Sequence, residues 1–368
     1  MEHKTPLLFT DPPDRLCIVR LSAIGDCCHM VPVIRTLQSV WPQTRITWIM
    51  GRTEAALLGD LDGIECITFD KKSGLPGLRA LRREMRHRRY DALLLMQVAL
   101  RAGLLSRAIA SPVRLGFDAG RSRDMHRLFI NRRIAPRRNA HVMDGFFDFL
   151  EALGIHERVL RWDIPVPDEA RDRAVEYIPH GEGALVISPC SSQRLNNFRN
   201  WRAEDYAAVA RHAHEVHGLR TLVTGGPTEE ERHYGEAISR QAGVPVTNLV
   251  GRTSLKELFA VLERATVLIS PDSGPAHMAV AAGTPVIGLY ATSNPERTGP
   301  YLGRQWVVNR YPDAVRLQWG KGVAEVAWGR RVRRPDAMSL IALDDVTARL
   351  DQLMDTPPVM RMRGLEAQ

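Results

Sequence analysis

The chain has 368 residues, 44% hydrophobic and 25% charged, which is room for two domains of ordinary size and the composition of a globular protein. No apolar run approaches the roughly 20 residues needed to span a bilayer, and the first residues lack an apolar core of signal-peptide length. The five cysteines are scattered, without a Cys-x-x-Cys pair or an evident metal spacing involving His, so a disulfide framework is not expected and a reducing cytoplasm is.

The net charge is +8, and its distribution is uneven. Arg79, Arg82, Arg83, Arg86, Arg88 and Arg89 crowd one predicted helix, and ten more arginines lie between Arg101 and Arg138, against Asp118 and Asp124 alone. The positive field of the first half suits phosphorylated lipid or an anionic membrane face. With no nucleic-acid motif and little aromatic interleaving, nucleic acid is not an expected partner.

After a loose lead-in over 1–14, Leu16–Leu21 reads as a first strand and Ser22–Met30 as a loop at its carboxyl end. Pro32 is expected to open a helix running to Val40, because Pro is tolerated in a first turn and not mid-helix. Strands follow at Ile46–Met50, Ile64–Phe69, Ala92–Met96 and Val113–Phe117, separated by helices at 51–58, 77–88 and 97–109. This βα alternation predicts a doubly wound parallel sheet. A helix over His141–Leu153 closes the half, and Pro165-Val-Pro167 marks the domain boundary.

Alternation then restarts. Strands are expected at Ala184–Ser188, Arg220–Thr224 and Val246–Leu249, with helices at 203–216, 229–242 and 254–264, the last capped by Ser254. The focal stretch comes next. Ala265-Thr-Val-Leu-Ile-Ser-Pro-Asp272-Ser273-Gly274-Pro275-Ala-His277 predicts a buried strand, a polar turn and a helix thinned by Met278, Ala279, Ala281 and Ala282. Gly283-Thr-Pro285 then breaks into a second buried strand ending at Tyr290. Free backbone N–H groups and the positive end of the helix dipole at this turn make a site for a diphosphate. Beyond Asn294 only a helix at 343–354 is predicted. There is no Gly-x-Gly-x-x-Gly after the first strand and no Walker-A sequence, which excludes the usual dehydrogenase and P-loop readings.

The spelling Asp272-Ser273-Gly274-Pro275-x-His277-x-Ala-x-Ala-x-Gly283-x-Pro285 resembles the signature of the family-9 glycosyltransferases, the bacterial heptosyltransferases. The stretch Gly25-Asp26-x-x-His29-x-x-Pro32 resembles that family's acceptor-side motif. The similarity covers nearly all of residues 15–300 and implies a GT-B type α/β fold. In such a fold two facing Rossmann-like domains with parallel sheets border an interdomain cleft. The expected domains are 1–170 for the acceptor and 171–340 for the ADP-sugar, with a C-terminal helix and tail over 341–368.

The resemblance implies that Asp26 is the catalytic base; a carboxylate is a fitting group to take an acceptor hydroxyl proton. A helix cap is the plain alternative for it. His29 either orients the acceptor or is a structural histidine. Arg199, where the family usually has Lys before x-Trp, is expected to neutralise the departing diphosphate. Arg194 is an alternative for that role, and Ser191 and Ser192 supply hydroxyls upstream. The resemblance implies donor contacts from Asp272, Ser273, Gly274 and His277, a ribose or adenosine contact from Glu230, and a base contact from Thr253. Three acids at 229–231 also suit a helix dipole without any ligand. Arg101, Arg121, Arg123 and His141 are candidates for the acceptor's carboxylates and phosphates. Gly116–Arg133 and Asp70-Lys71-Lys72-Ser-Gly74 are similar to the subgroup that adds the first heptose to Kdo. Asp60-Leu-Asp62 spells a metal motif of another glycosyltransferase fold, but a turn before Gly63 explains it, and no cofactor or metal is expected.

The expected reaction is inverting, metal-independent transfer of heptose from ADP-L-glycero-D-manno-heptose to a Kdo residue of lipid A inner core. The protein would be cytoplasmic, in peripheral contact with the anionic inner-membrane face. Addition of a later heptose, sugar-nucleotide epimerisation and non-catalytic carbohydrate binding are the alternatives.

Overall fold

The structure, a computed structural model, describes residues 8–191 and 197–362. The chain divides into two compact units, Met1–Pro165 and Val166–Gln368.

In the first unit, strands β1 (Arg15–Val19), β2 (Arg45–Gly51), β3 (Ile64–Phe69), β4 (Ala92–Leu95), β5 (Val113–Gly116) and β6 (Arg132–Arg133) form one parallel sheet in the order β3-β2-β1-β4-β5-β6. Helices α1 (Ile24–Val40), α2 (Arg52–Leu58), α3 (Gly74–Met85), α4 (Leu100–Ser106) and α5 (Val142–Ala152) connect or cover it. β1, β2 and β4 are apolar runs buried on both faces, as a doubly wound sheet requires. The edge strand β6 was not foreseen; its two exposed arginines carry no apolar signal.

The largest departure from expectation is at α1. The predicted loop over 22–30 is mostly helix, and Pro32 lies inside that helix rather than opening it. An interior proline leaves the carbonyl four residues earlier without its helical donor. That carbonyl belongs to Cys28, and the indole N–H of Trp162 donates to it at 3.0 Å. A residue from the far end of the unit thus makes the interior proline tolerable.

In the second unit, β7 (Ala184–Ile187), β8 (Arg220–Val223), β9 (Val246–Asn248), β10 (Val267–Pro271), β11 (Val286–Tyr290) and β12 (Val308–Asn309) form a parallel sheet in the order β12-β11-β10-β7-β8-β9. Its helices are α6 (Asp168–Tyr177), α7 (Ala203–His217), α8 (Glu229–Gln241), α9 (Leu255–Arg264), α10 (Gly274–Ala281), α11 (Pro295–Thr298), α12 (Tyr311–Trp319), α13 (Leu343–Asp355) and α14 (Pro358–Arg361). The segment set apart as a C-terminal tail joins this unit's core, where α13 buries Val346, Leu350 and Leu353 beside Ala210 and Ala213 of α7. No described helix is long and apolar enough to cross a membrane.

Both sheets reverse strand order once, between β1 and β4 and between β7 and β10. In open α/β sheets, the crevice at the carboxyl ends of such a strand pair is where ligands bind.

Candidate active site

At the switch point of the second sheet, α10 starts immediately after β10. Gly274 is its first residue, so Pro275 occupies the second helical position rather than the first; neither position needs a backbone donor. Ala276, Met278 and Ala279 are buried. Gly283, at φ 80°, turns the chain from α10 toward β11. His277 is half-buried on α10.

The loop after β7 crosses to this turn. Arg199 Nη1 donates to the Asp272 carbonyl at 2.8 Å and lies 3.3 Å from its Oδ2, while Nε donates to Asn197 Oδ1 at 2.7 Å. Arg199 and Asp272 are 8% and 6% exposed, so the cation is held away from bulk water, where it acts most strongly on a bound anion. Trp201 fixes the loop. It is fully buried, stacks edge-on with Tyr206 at 5.2 Å and donates its indole N–H to the Ile341 carbonyl at 3.0 Å. Ser270 Oγ ties the two loops further, meeting Ser273 Oγ at 2.7 Å and the Ser188 carbonyl at 3.0 Å.

Asn200 links the next groups. It accepts from the Ser191 N–H at 2.9 Å and donates to Glu230 Oε1 at 2.8 Å. The neighbouring acids differ in task. Glu231 caps its own helix, accepting from the Gly226 N–H at 2.8 Å and the Thr228 hydroxyl at 2.6 Å, whereas Glu230 is exposed. Thr253 is half-buried in the loop after β9, which joins the Gly225 loop through a Gly251 N–H to Gly225 carbonyl bond of 2.9 Å. Ser191, Arg199, Thr253, Asp272 and Ser273 therefore lie in loops, and Glu230 and Gly274 in the first turns of α8 and α10, all at the carboxyl edge of one sheet. Ser192 and Arg194 lie outside the described residues.

Arg331 was not singled out from sequence. Its guanidinium comes within 3.9 Å of Asp272 Oδ2 and is 42% exposed, a second cation on the same turn. The bond from the Val332 N–H to the Thr292 carbonyl, at 2.9 Å, holds its segment. The only sequence signal was a cluster of arginines at 330–334 with no periodicity. Burial, with Asp272 adding to it, holds the Tyr290 phenol well above its ordinary pKa. Burial likewise pushes the Cys190 thiol up, aided by Glu230 and Glu231.

At the switch point of the first sheet, Asp26 is the third residue of α1. Arg20 pairs with its Oδ2, the Ala23 N–H lies 3.4 Å from the same oxygen, and the side chain is 31% exposed. Arg20 also donates to the Met96 carbonyl at 2.7 Å, and Gln97 accepts from the Leu21 N–H at 2.7 Å. The loops after β1 and β4 are thus clamped around one carboxylate, held through its Oδ2. Cys27 and Cys28 beside it are fully buried, and burial raises both thiols.

The acceptor candidates do not form one group. His29 and His141 are buried with ring centroids 5.4 Å apart, and His141 Nδ1 caps α5 by accepting from the Met143 N–H at 3.1 Å. Arg121 spans Asp118 and Asp148, the latter at 2.6 Å, and donates to the Ala135 carbonyl at 3.0 Å, which is a structural task. Arg101 and Arg123 are exposed. The Asp60–Asp62 stretch forms a turn whose Asp62 carbonyl accepts from Arg35 and Gln38.

Two Rossmann-type sheets, one with a buried cation on a strand-turn-helix turn and the other with a clamped carboxylate, fit a glycosyltransferase of the GT-B type. The model of glycosyltransferase family 9 (heptosyltransferase) matches residues 78–317, and the chain belongs to that family. It is 38% identical to the lipopolysaccharide core heptosyltransferase OpsX of Haemophilus influenzae over 94% of this chain and 99% of that relative. It is 23% identical to lipopolysaccharide heptosyltransferase 1 of Escherichia coli, over 81% of this chain and 94% of that one. The fold is shared with the E. coli heptosyltransferase WaaC with ADP, at a TM-score of 0.71 and 18% identity over 92% of this chain and 99% of that one. A family-9 glycosyl transferase from Veillonella parvula shares it at 0.75 and 23%, over 93% and 97%.

Proposed function

We propose that the protein transfers heptose from ADP-L-glycero-D-manno-heptose to a Kdo residue of the lipid A inner core, in lipopolysaccharide core synthesis, by one inverting displacement that needs no metal. The observation that carries this reading is the buried Arg199 bonded across the switch point to the Asp272 turn. That cation, with the N–H groups opening α10, suits the diphosphate that gains charge as the glycosidic bond breaks. Arg331 adds a second, more exposed positive charge to the same turn.

In this reading Asp26 Oδ1 takes the proton of the attacking hydroxyl as the new bond forms, while Arg20 fixes the carboxylate through Oδ2. Exposed Glu230 and half-buried Thr253 receive the adenosine, with Ser191, Ser273, Gly274 and His277 lining the donor. Arg101 and Arg123 meet the acceptor's negative groups. The names of the curated relatives support a lipopolysaccharide core acceptor. Exposed Leu100, Leu104, Met125 and Leu128 lie among exposed Arg101, Arg107 and Arg127, a combination suited to peripheral contact with an anionic membrane on the cytoplasmic side.

The test is a transfer assay that pairs ADP-heptose, other ADP-sugars and UDP-sugars with lipid A bearing Kdo alone, phosphorylated Kdo or one heptose. The expected result is transfer from ADP-heptose to Kdo-lipid A in EDTA, with inversion at the anomeric carbon. Turnover of donor without acceptor would point to an epimerase. Transfer confined to the heptose-bearing acceptor would move the enzyme to a later step.

A further inference from the structure

Away from the donor loops, the second unit brings three metal-ligand side chains to one point. His212 and His217 lie on α7 and Asp351 on α13. Both imidazoles aim Nε2 at the same oxygen, Asp351 Oδ1, at 2.7 and 2.6 Å, and the three ligand atoms all lie within 4.8 Å of one another. The rings stand edge to face with centroids 5.7 Å apart. His217 is the last residue of α7 before Gly218, at φ 64°, turns the chain into β8. The cluster is therefore at the amino edge of the sheet, opposite the edge that carries Arg199 and Asp272.

Two features make this more than a surface hydrogen bond. The ligands stand on helices fixed by a shared core, with Ala210 and Ala213 of α7 and Val346, Leu350 and Leu353 of α13 all buried in it. The side chains of His212, His217 and Asp351 are 27%, 13% and 41% exposed, so the histidines are sheltered while the carboxylate side faces solvent. That exposed side is where a fourth, exchangeable ligand would enter.

We propose that His212, His217 and Asp351 bind one divalent transition-metal ion of the zinc class, which fastens α13 to α7. Two imidazoles and a carboxylate suit zinc, whereas magnesium and calcium prefer oxygen ligands alone. Zinc bonds of about 2.1 Å in a tetrahedron set ligand atoms about 3.4 Å apart. The present gaps of 2.6 and 2.7 Å open by roughly 0.7 Å to reach that, a shift within reach of the half-exposed Asp351 side chain. Because the cluster is at the far edge of the sheet, the ion supports the fold and takes no part in transfer.

The experiment uses tag-free full-length protein stripped with EDTA and titrated with zinc by calorimetry. The expected result is one equivalent bound with a dissociation constant below about 10 µM, and a Tm raised by roughly 5 °C at saturation. The double variant His212→Gln/His217→Gln abolishes both effects, and Asp351→Asn weakens binding by about tenfold or more. Circular dichroism in EDTA checks that the variants keep the wild-type fold. Absence of saturable binding, or equal affinity in wild type and both variants, overturns the proposal. If the variants do not fold, cobalt decides the matter in wild type. Weak visible bands without thiolate charge transfer support the site, and a thiolate band assigns the metal to cysteine and overturns it.

Discussion

The two switch points share a topology and differ in the sign of what they present. In the first unit a carboxylate, Asp26, is 31% exposed at the side chain, with Arg20 behind it at 12%. In the second unit a cation, Arg199, is turned onto Asp272, and both side chains are only 9% exposed. A carboxylate that must collect a proton needs an open oxygen. A cation that must hold a diphosphate gains from low dielectric and from partners that fix it before the ligand arrives. One backbone plan thus carries a more open carboxylate in one place and a buried cation in the other, the contrast that the proposed proton transfer and charge stabilisation would require.

The strongest way to break this contrast is at Asp26. Asp26→Asn is expected to lower kcat by about 10²–10⁴-fold while leaving ADP affinity within about threefold. Turnover within about threefold of wild type would remove Asp26 as the base. For Arg199→Ala, the expected loss is about 10²-fold in kcat/KM together with weaker ADP binding, read by steady-state kinetics and calorimetry. Arg199→Lys should recover only part, because the ammonium keeps the charge but cannot span Asn197 and Asp272 as the planar guanidinium does.

A difference in pH response sharpens the comparison. His126 in the first unit is buried, and its Nε2 accepts from the Phe117 N–H at 3.2 Å. Burial, with Arg133 adding to it, lowers its pKa from 6.5 to about 4. The folded state therefore binds fewer protons than the unfolded chain between those values. Stability from this group is whole above the unfolded pKa and is lost as pH falls toward the folded one. Between pH 7 and about 4.5, denaturant unfolding should show wild type losing about 2 kcal/mol more than His126→Gln. Equal losses would mean that the histidine is not held neutral. The smallest expected effect is at Arg331. Its guanidinium is 42% exposed and 3.9 Å from Asp272, so Arg331→Ala should weaken ADP by about tenfold or less, with kcat little changed. A loss as large as that of Arg199→Ala would make the exposed arginine the main diphosphate ligand.

The amino-acid sequence by itself determined the βα alternation, the restart after Pro165, the buried strands on either side of the 272–285 signature and the family. These rest on patterns a few residues long, such as apolar strands, small residues on α10 and fixed motif spacings, so they survive without coordinates. Tertiary structure decided what no short window contains. Arg199 meets a residue 73 positions away. Trp162 donates to the Cys28 carbonyl, 134 positions away, and so lets Pro32 stay inside α1. His212 and His217 fall short of a recognisable ligand spacing until Asp351 arrives from α13. Arg331 gains its place at Asp272 from a stretch with no periodicity at all. Local pattern sets which elements form, because helices and strands have short repeats. Which charges meet depends on packing those elements together, and that is a property of the folded whole.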